Sequence, residues 1–395
     1  MLIILFPQKF ISSFYKNYHV DDLKKKLKEK IEVHDLSIII SPKLNNTYKG
    51  SINKSVKIFR DIKEWERYLN KKIKKEKKIY IMNCINLENF KSFYIYYLLS
   101  KYKLSIIEMN SAETLQCIFS KTLRQKIINF FKYLIFHHKF FLFRTKQFIF
   151  KKLVKCLKFN EIYVTQCGYD GRKNTFSLLS SSKIKFLDYN SSDYINFLTN
   201  KRKVKSKNYA VFLDCRSPAF IGDKSLFGLN IIYDKKKWYS DLNNFLKKVE
   251  KQENLKIIII PHPSVRELKN IYYDKNFQIS NDKDATNRLV PACKFVLAIS
   301  ATTAVSYCVL YNKPITFIYN NQLVKENLWQ YKELKSYSRA LSSKMININK
   351  DTDIIELNSV VNKKSYIKWK YNFITSKKTE KISNIEILKK EIFDL

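Results

Sequence analysis

The chain has 395 residues, too long for one ordinary domain and suited to two of about 150–200 residues each. Hydrophobic residues make up 45% of it, which excludes global disorder. The formal charge is +39, carried by Lys in large excess over Arg, alongside abundant Ile, Asn, Tyr and Phe and scarce Gly. A/T-rich coding produces that pattern, so part of the charge is a solvated surface. The rest suits an anionic membrane face or a polyanionic substrate. No helix-turn-helix, zinc-finger or RNA-binding sheet signature is present, so no nucleic-acid partner is expected.

Seven dispersed cysteines (84, 117, 156, 167, 215, 293 and 308) show no C-x-x-C pairing. They fit a reducing cytoplasm and no structural zinc site. Met1–Phe6 lacks a basic leader or a small-residue cleavage site, and no run of about 18 apolar residues occurs. The expectation is a cytoplasmic protein, peripheral on the inner face of the cell membrane. The five glycines (50, 168, 171, 222 and 228) exclude both a G-x-G-x-x-G loop and a Walker P-loop. Any phosphate site must therefore use side chains and a helix N-terminus.

In chain order, the first half predicts strands at Leu2–Phe6, Leu36–Ile40, Ile79–Met82, Leu104–Met109, Glu161–Thr165 and Ile184–Leu187. Helices are expected near 12–31, 60–77, 88–101 and 111–155. From Thr114 to Asn160 no acidic residue occurs, while eleven Lys or Arg residues interleave with aromatics from Phe130 to Phe150. On a helix that mixture suits the headgroup layer of an anionic bilayer. The alternative is a helix that packs its Phe stripe on the sheet and leaves its lysines in water. The Lys-rich stretch 199–208 reads as a linker. Strands then follow at Tyr209–Leu213, Lys256–Ile260, Phe295–Ile299 and Ile315–Tyr319, with helices near 236–252, 284–292, 302–311 and 322–336. Alternation of this kind predicts an α/β protein of two Rossmann-like domains. They would occupy 1–200, with the basic aromatic segment 114–160, and 205–345, before a helical tail at 346–395.

Two features of the second domain carry chemistry. Four isoleucines end abruptly at Pro261-His262-Pro263, which sets a backbone-restricted imidazole at a strand's carboxyl end, where open sheets bind ligands. About forty residues on, a strand leads into Ser300-Ala301-Thr302-Thr303 and an apolar helix. Hydroxyls there can cap the helix or contact an anion. Arg266 and Lys313 are further candidates for phosphate contact.

Together these features resemble the donor domain of bacterial GT-B glycosyltransferases, with capsule Kdo transferases and polysialyltransferase-like enzymes the nearest likeness. It spans about residues 205–325. The resemblance implies a GT-B-like fold with two domains facing a central cleft. It also implies that an HP motif (His262, Pro263) and an S-S/S-T motif (Ser300, Thr302, Thr303) hold the phosphate of a nucleotide-sugar donor, with a CMP-sugar favoured. The acceptor would be a surface polysaccharide or a lipid-linked carbohydrate. Teichoic-acid glycerophosphotransferases, which use a CDP-polyol, are the nearest alternative, and a non-catalytic scaffold at the membrane is another. A transferase needs a carboxylate as base. The strand-end candidates are Asp170, Asp214 and Glu108, each of which could equally be a turn or cap residue. Asp351-Thr352-Asp353 lies past the core, so no D-x-D metal motif stands at a strand end, and metal-independent catalysis without a cofactor is expected.

Overall fold

A computed structural model describes residues 1–42, 53–87, 89–109, 138–170, 184–199, 205–215, 218, 232–262, 272–282, 284–350 and 352–394. The chain divides into two compact units. One comprises Met1–Ser111, Phe141–Ser192 and Thr375–Leu395; the other comprises Ala112–Phe140 and Asp193–Ile374. Each is α/β and built on one parallel sheet, the two-domain class that the sequence predicts.

In the first unit the strands are β1 (Leu2–Phe6), β2 (Ile31–Asp35), β3 (Val56–Ile58), β4 (Tyr80–Asn83), β5 (Ser105–Glu108), β6 (Ile162–Cys167) and β7 (Ile184–Tyr189), ordered 3-2-1-4-5-6-7. All their pairings are parallel. The central strand β1 reads Leu-Ile-Ile-Leu-Phe and is buried along its whole length, as a strand covered on both faces must be. Its helices include α1 (Ser12–Asn17), α2 (Val20–Leu27), α3 (Ser37–Ile40), α4 (Ile62–Lys75), α5 (Phe90–Lys101) and α6 (His138–Lys155). Side chains start the long ones: Asp61 accepts from Glu64 N at 2.8 Å before α4, and Asn89 with Ser92 forms a capping box on α5.

The second strand departs from expectation. Leu36–Ile40 was expected to be a strand, but Ser37–Ile40 is a helical turn, and the strand is the preceding Ile31–Asp35. That segment looks polar because it buries Glu32 and His34, which are satisfied from outside the strand. Lys72 and Tyr68 of α4 donate to the Glu32 carboxylate at 2.6 and 2.8 Å. Burial opposes the charge of Glu32, but His34, Lys72, Tyr68 and Lys57 outweigh it and hold the carboxylate below its usual pKa range. Trp65 Nε1 donates to His34 Nδ1 at 3.2 Å, which leaves Nε2 as the donor to Glu32. Burial keeps that imidazole neutral.

In the second unit α7 (Ser192–Thr199) leads to β8 (Tyr209–Asp214), α8 (Lys235–Glu253), β9 (Lys256–Pro261) and β10 (Gln278–Ile279). After them come α9 (Ala285–Leu289), β11 (Val296–Ala298), α10 (Val305–Leu310), β12 (Ile315–Tyr319), α11 (Asn321–Glu326), α12 (Leu328–Ala340) and β13 (Met345–Asn347). The strand order is β10-β9-β8-β11-β12-β13, again parallel throughout. The expected tail is divided between the units. α13 (Lys363–Trp369) buries Tyr366 and Trp369 in the second core. The chain then returns to the first unit, where Thr375 Oγ1 donates to Asn190 Oδ1 at 2.6 Å and α14 (Asn384–Leu388) buries Leu388.

Candidate functional site

In an order such as 3-2-1-4-5-6 the chain reverses direction across the sheet between the first and fourth strands, and ligands settle beyond the carboxyl ends there. In the second unit that point lies between β8 and β11. The register fixes what stands at the edge. Asp214 pairs with Pro261 and Leu213 with Ala298. One step past the sheet, His262, Cys215 and Ser300 therefore fall in a single row across β9, β8 and β11. Strand spacing of about 4.8 Å sets the outer two backbones about 10 Å apart.

His262 N donates to Asp214 O at 2.9 Å, and the His262 side chain is half-buried. Asp214 is buried, and its Oδ2 accepts from Tyr273 OH at 2.5 Å. Burial first, and then the Asp214 charge, push the Tyr273 phenol well above its ordinary pKa, so it stays a donor. The Asp214 backbone carbonyl thus pairs with the residue that carries the imidazole, while its carboxylate, buried against Tyr273, is not an accessible base. Ser300 is 0% exposed, and its Oγ has no hydrogen-bond partner among the described residues. A buried hydroxyl without a partner costs about 1–3 kcal/mol, a cost that a ligand oxygen would cancel.

The rest of the turn differs from expectation. The helix begins at Val305, not 302, and has six residues. Thr302 Oγ1 accepts from Ala304 N at 3.3 Å, so this hydroxyl shapes the turn, and Thr303 is exposed. Lys313 is a correction. It precedes β12 and so lies at the amino edge of the parallel sheet, opposite His262 and Ser300, where its Nζ donates to Cys293 O at 2.7 Å. The sequence motif Asn-Lys-Pro reads the same at either end of a strand; only the direction of the sheet excludes this lysine. Pro263 and Arg266 lie outside the described residues.

In the first unit two candidate carboxylates follow neighbouring strands. Asp170 is half-buried in the helical turn 168–170 after β6, where Gly168 adopts φ 71°. Glu108 ends β5. Asn83 Nδ2 lies 2.8 Å from Glu108 Oε2, and Tyr96 OH lies 3.1 Å from Oε1. Burial raises Glu108 to about 7, against the two hydrogen bonds. The surroundings agree with a neutral acid. Tyr96 has one proton, yet its oxygen is also 3.0 Å from Ile85 O and accepts from Asn83 Nδ2 at 2.7 Å. A protonated Glu108 donates to Tyr96 and frees the phenol to donate to Ile85. Sequence patterns single out Glu108 but not Asn83, Tyr96, Cys215 or Tyr273, which sequence separation hides.

Among the described residues no group of three or more His, Cys, Asp and Glu side chains could hold a metal ion. No described helix is long and apolar enough to cross a membrane.

No protein-family model matches the chain, and no similar curated protein is found. Solved structures similar to it include WaaG, a glycosyltransferase involved in lipopolysaccharide biosynthesis (9% identity, TM-score 0.41, covering 100% of this chain and 99% of that one). UDP-N-acetylglucosamine 2-epimerase from Rickettsia bellii is similar at 11% identity and TM-score 0.42, covering 100% and 99%. The H444N variant of the wall teichoic acid polymerase TagF is similar at 11% identity and TM-score 0.42, covering 98% and 83%. Transferases and an epimerase stand side by side in this group, so the strand-end residues have to carry the functional argument.

Proposed function

We propose that this chain is a metal-independent glycosyltransferase that moves a sugar from a nucleotide donor to a carbohydrate or lipid-linked acceptor of the cell envelope. The observation that carries the reading is the row at the switch point of the second sheet: His262, its backbone paired with the Asp214 carbonyl, and Ser300 with a buried, unsatisfied hydroxyl. Such a row holds a phosphate oxygen between an imidazole and a hydroxyl, and both donors strengthen as negative charge collects on the departing phosphate. On the resemblance of these motifs, the donor is a CMP-activated sugar, of the Kdo or sialic type.

Glu108 is the base of this reading. With a pKa of about 7 it is poised to take a proton from an acceptor hydroxyl at neutral pH. Asp170 ranks below it, and the buried Asp214 is not used as a base. The protein works as a cytoplasmic enzyme on the inner membrane face, where lipid-linked acceptors are within reach. The alternative of CDP-polyol phosphate transfer uses the same phosphate row and differs in donor.

Thermal melting with CMP, CDP, UDP and GDP tests this. Stabilisation by CMP that disappears in Ser300→Ala supports the reading. CDP-glycerol turnover favours the polyol alternative, and no response to any nucleotide refutes a nucleotide donor.

A further inference from the structure

A helix on a soluble sheet needs one apolar face, and α6 has two. The inner face buries Val154 and stacks Phe150 on Phe93 of α5, with ring centroids 5.6 Å apart. Ser100 and Lys158 fasten the end of the pair through bonds of 2.8 and 3.0 Å. Since Phe150 meets Phe93 and Lys158 meets Ser100, the two helices run parallel and side by side. The second apolar row is outward. Leu142, Ile149 and Leu153 are spaced seven and four apart, hence on one side of the helix, and are 54%, 49% and 45% exposed. Phe148 is 62% exposed, with Lys152 Nζ 5.6 Å from its ring centroid. Had the helix packed its apolar residues inward and left only lysines in water, this row would not exist.

We infer that α5 and α6 form a docking face for an anionic lipid bilayer. The Leu142–Ile149–Leu153 row enters the acyl boundary, and Lys146 and Lys152, which flank it at helical spacing, meet the phosphates. The charge pattern selects the occupant. From His138 to Asn160, and along α5, the chain carries no acidic residue, so the face repels cationic surfaces and offers no counter-charge for a second copy of itself. A bilayer supplies an apolar layer and a plane of negative charge together. The adjoining helix extends the face with aromatic rings: Phe90 and Tyr97 are 63% and 43% exposed and stack in turn on Tyr94. Rings of this kind settle at the headgroup level. This surface deepens the membrane-face placement proposed above but does not depend on the transfer chemistry.

The full-length protein is sedimented with vesicles of neutral phosphatidylcholine and with vesicles that also contain phosphatidylglycerol, at low and high salt. Wild type is expected to partition at least tenfold more strongly onto the anionic vesicles, and less so as salt rises. The triple variant Leu142→Ser, Ile149→Ser, Leu153→Ser is expected to lose at least tenfold of that partition, with melting temperature and CMP response unchanged because the three side chains are exposed. Lys146→Ser with Lys152→Ser is expected to flatten the salt dependence. Equal partition of wild type and the triple variant overturns the assignment. So does equal binding to neutral vesicles, and so does a wild-type dimer that the triple variant turns into a monomer. An absent CMP response in all proteins counts against the donor reading alone.

Discussion

The two sheets share the strand order 3-2-1-4-5-6, to which the first adds a seventh strand, and differ at their carboxyl edges. The first ends β4 and β5 in Asn83 and Glu108, with Tyr96 beneath them, a cluster that keeps an acid near neutral. The second sets His262, Cys215 and Ser300 just past β9, β8 and β11, a row whose neighbouring carboxylate, Asp214, is engaged by Tyr273. The two edges therefore present different chemistry, a carboxyl of raised pKa on one and an imidazole beside a buried hydroxyl on the other. The shared topology sets where ligands bind; the few residues past the last sheet bonds set what is bound.

The contrast breaks most visibly at His262. His262→Ala is expected to reduce transfer from a CMP-sugar by about 10²–10³-fold, the usual loss for one donor to developing charge, while circular dichroism stays unchanged. Activity within about threefold of wild type, roughly 0.7 kcal/mol of barrier, would remove the phosphate role.

Next in size is Glu108→Gln, expected to lower turnover about 10²-fold or more. Its effect on stability tests the raised pKa, and the pH profile of turnover tests the role as base. Because the folded pKa of about 7 lies above the unfolded value, the folded state keeps a proton that the unfolded state releases, so wild type loses stability as pH rises from about 4.5 to 7. The Gln variant escapes that loss. It should melt higher than wild type at pH 8 and nearly alike at pH 4.5. Wild-type turnover should rise with pH through about 7. A flat profile there assigns the base elsewhere.

Ser300→Ala is expected to weaken CMP binding about tenfold while leaving the empty protein as stable as wild type or more so, because it removes an unsatisfied buried hydroxyl. A destabilised Ala variant with unchanged CMP binding reverses the assignment. The smallest effect belongs to Tyr273→Phe, which takes from the buried Asp214 carboxylate the bond that Tyr273 donates. A loss of a few-fold in turnover, with a measurable drop in melting temperature, is the expected result.

The fold was largely legible where burial is simple. Leu2–Phe6 and Ile315–Tyr319 match their expected bounds because runs of apolar residues buried on both faces leave no ambiguity. The reading failed at Ile31–Asp35, where buried Glu32 and His34 mimic a loop. It also failed at Val56–Ile58, Gln278–Ile279 and Met345–Asn347, edge strands too short for a period to show. Within the site, His262 and Ser300 were legible as strand-end residues. Lys313 was misplaced because local spacing carries no sheet direction. Tyr273 lies 59 residues from Asp214, and nothing in a sequence window joins them.

The measurement closest to the central claim is isothermal titration of CMP into wild type, His262→Ala and Ser300→Ala at one salt concentration. The account predicts one site in wild type, with binding weakened tenfold or more in each variant. Equal affinity in all three would mean that the strand-end row of the second sheet holds no phosphate.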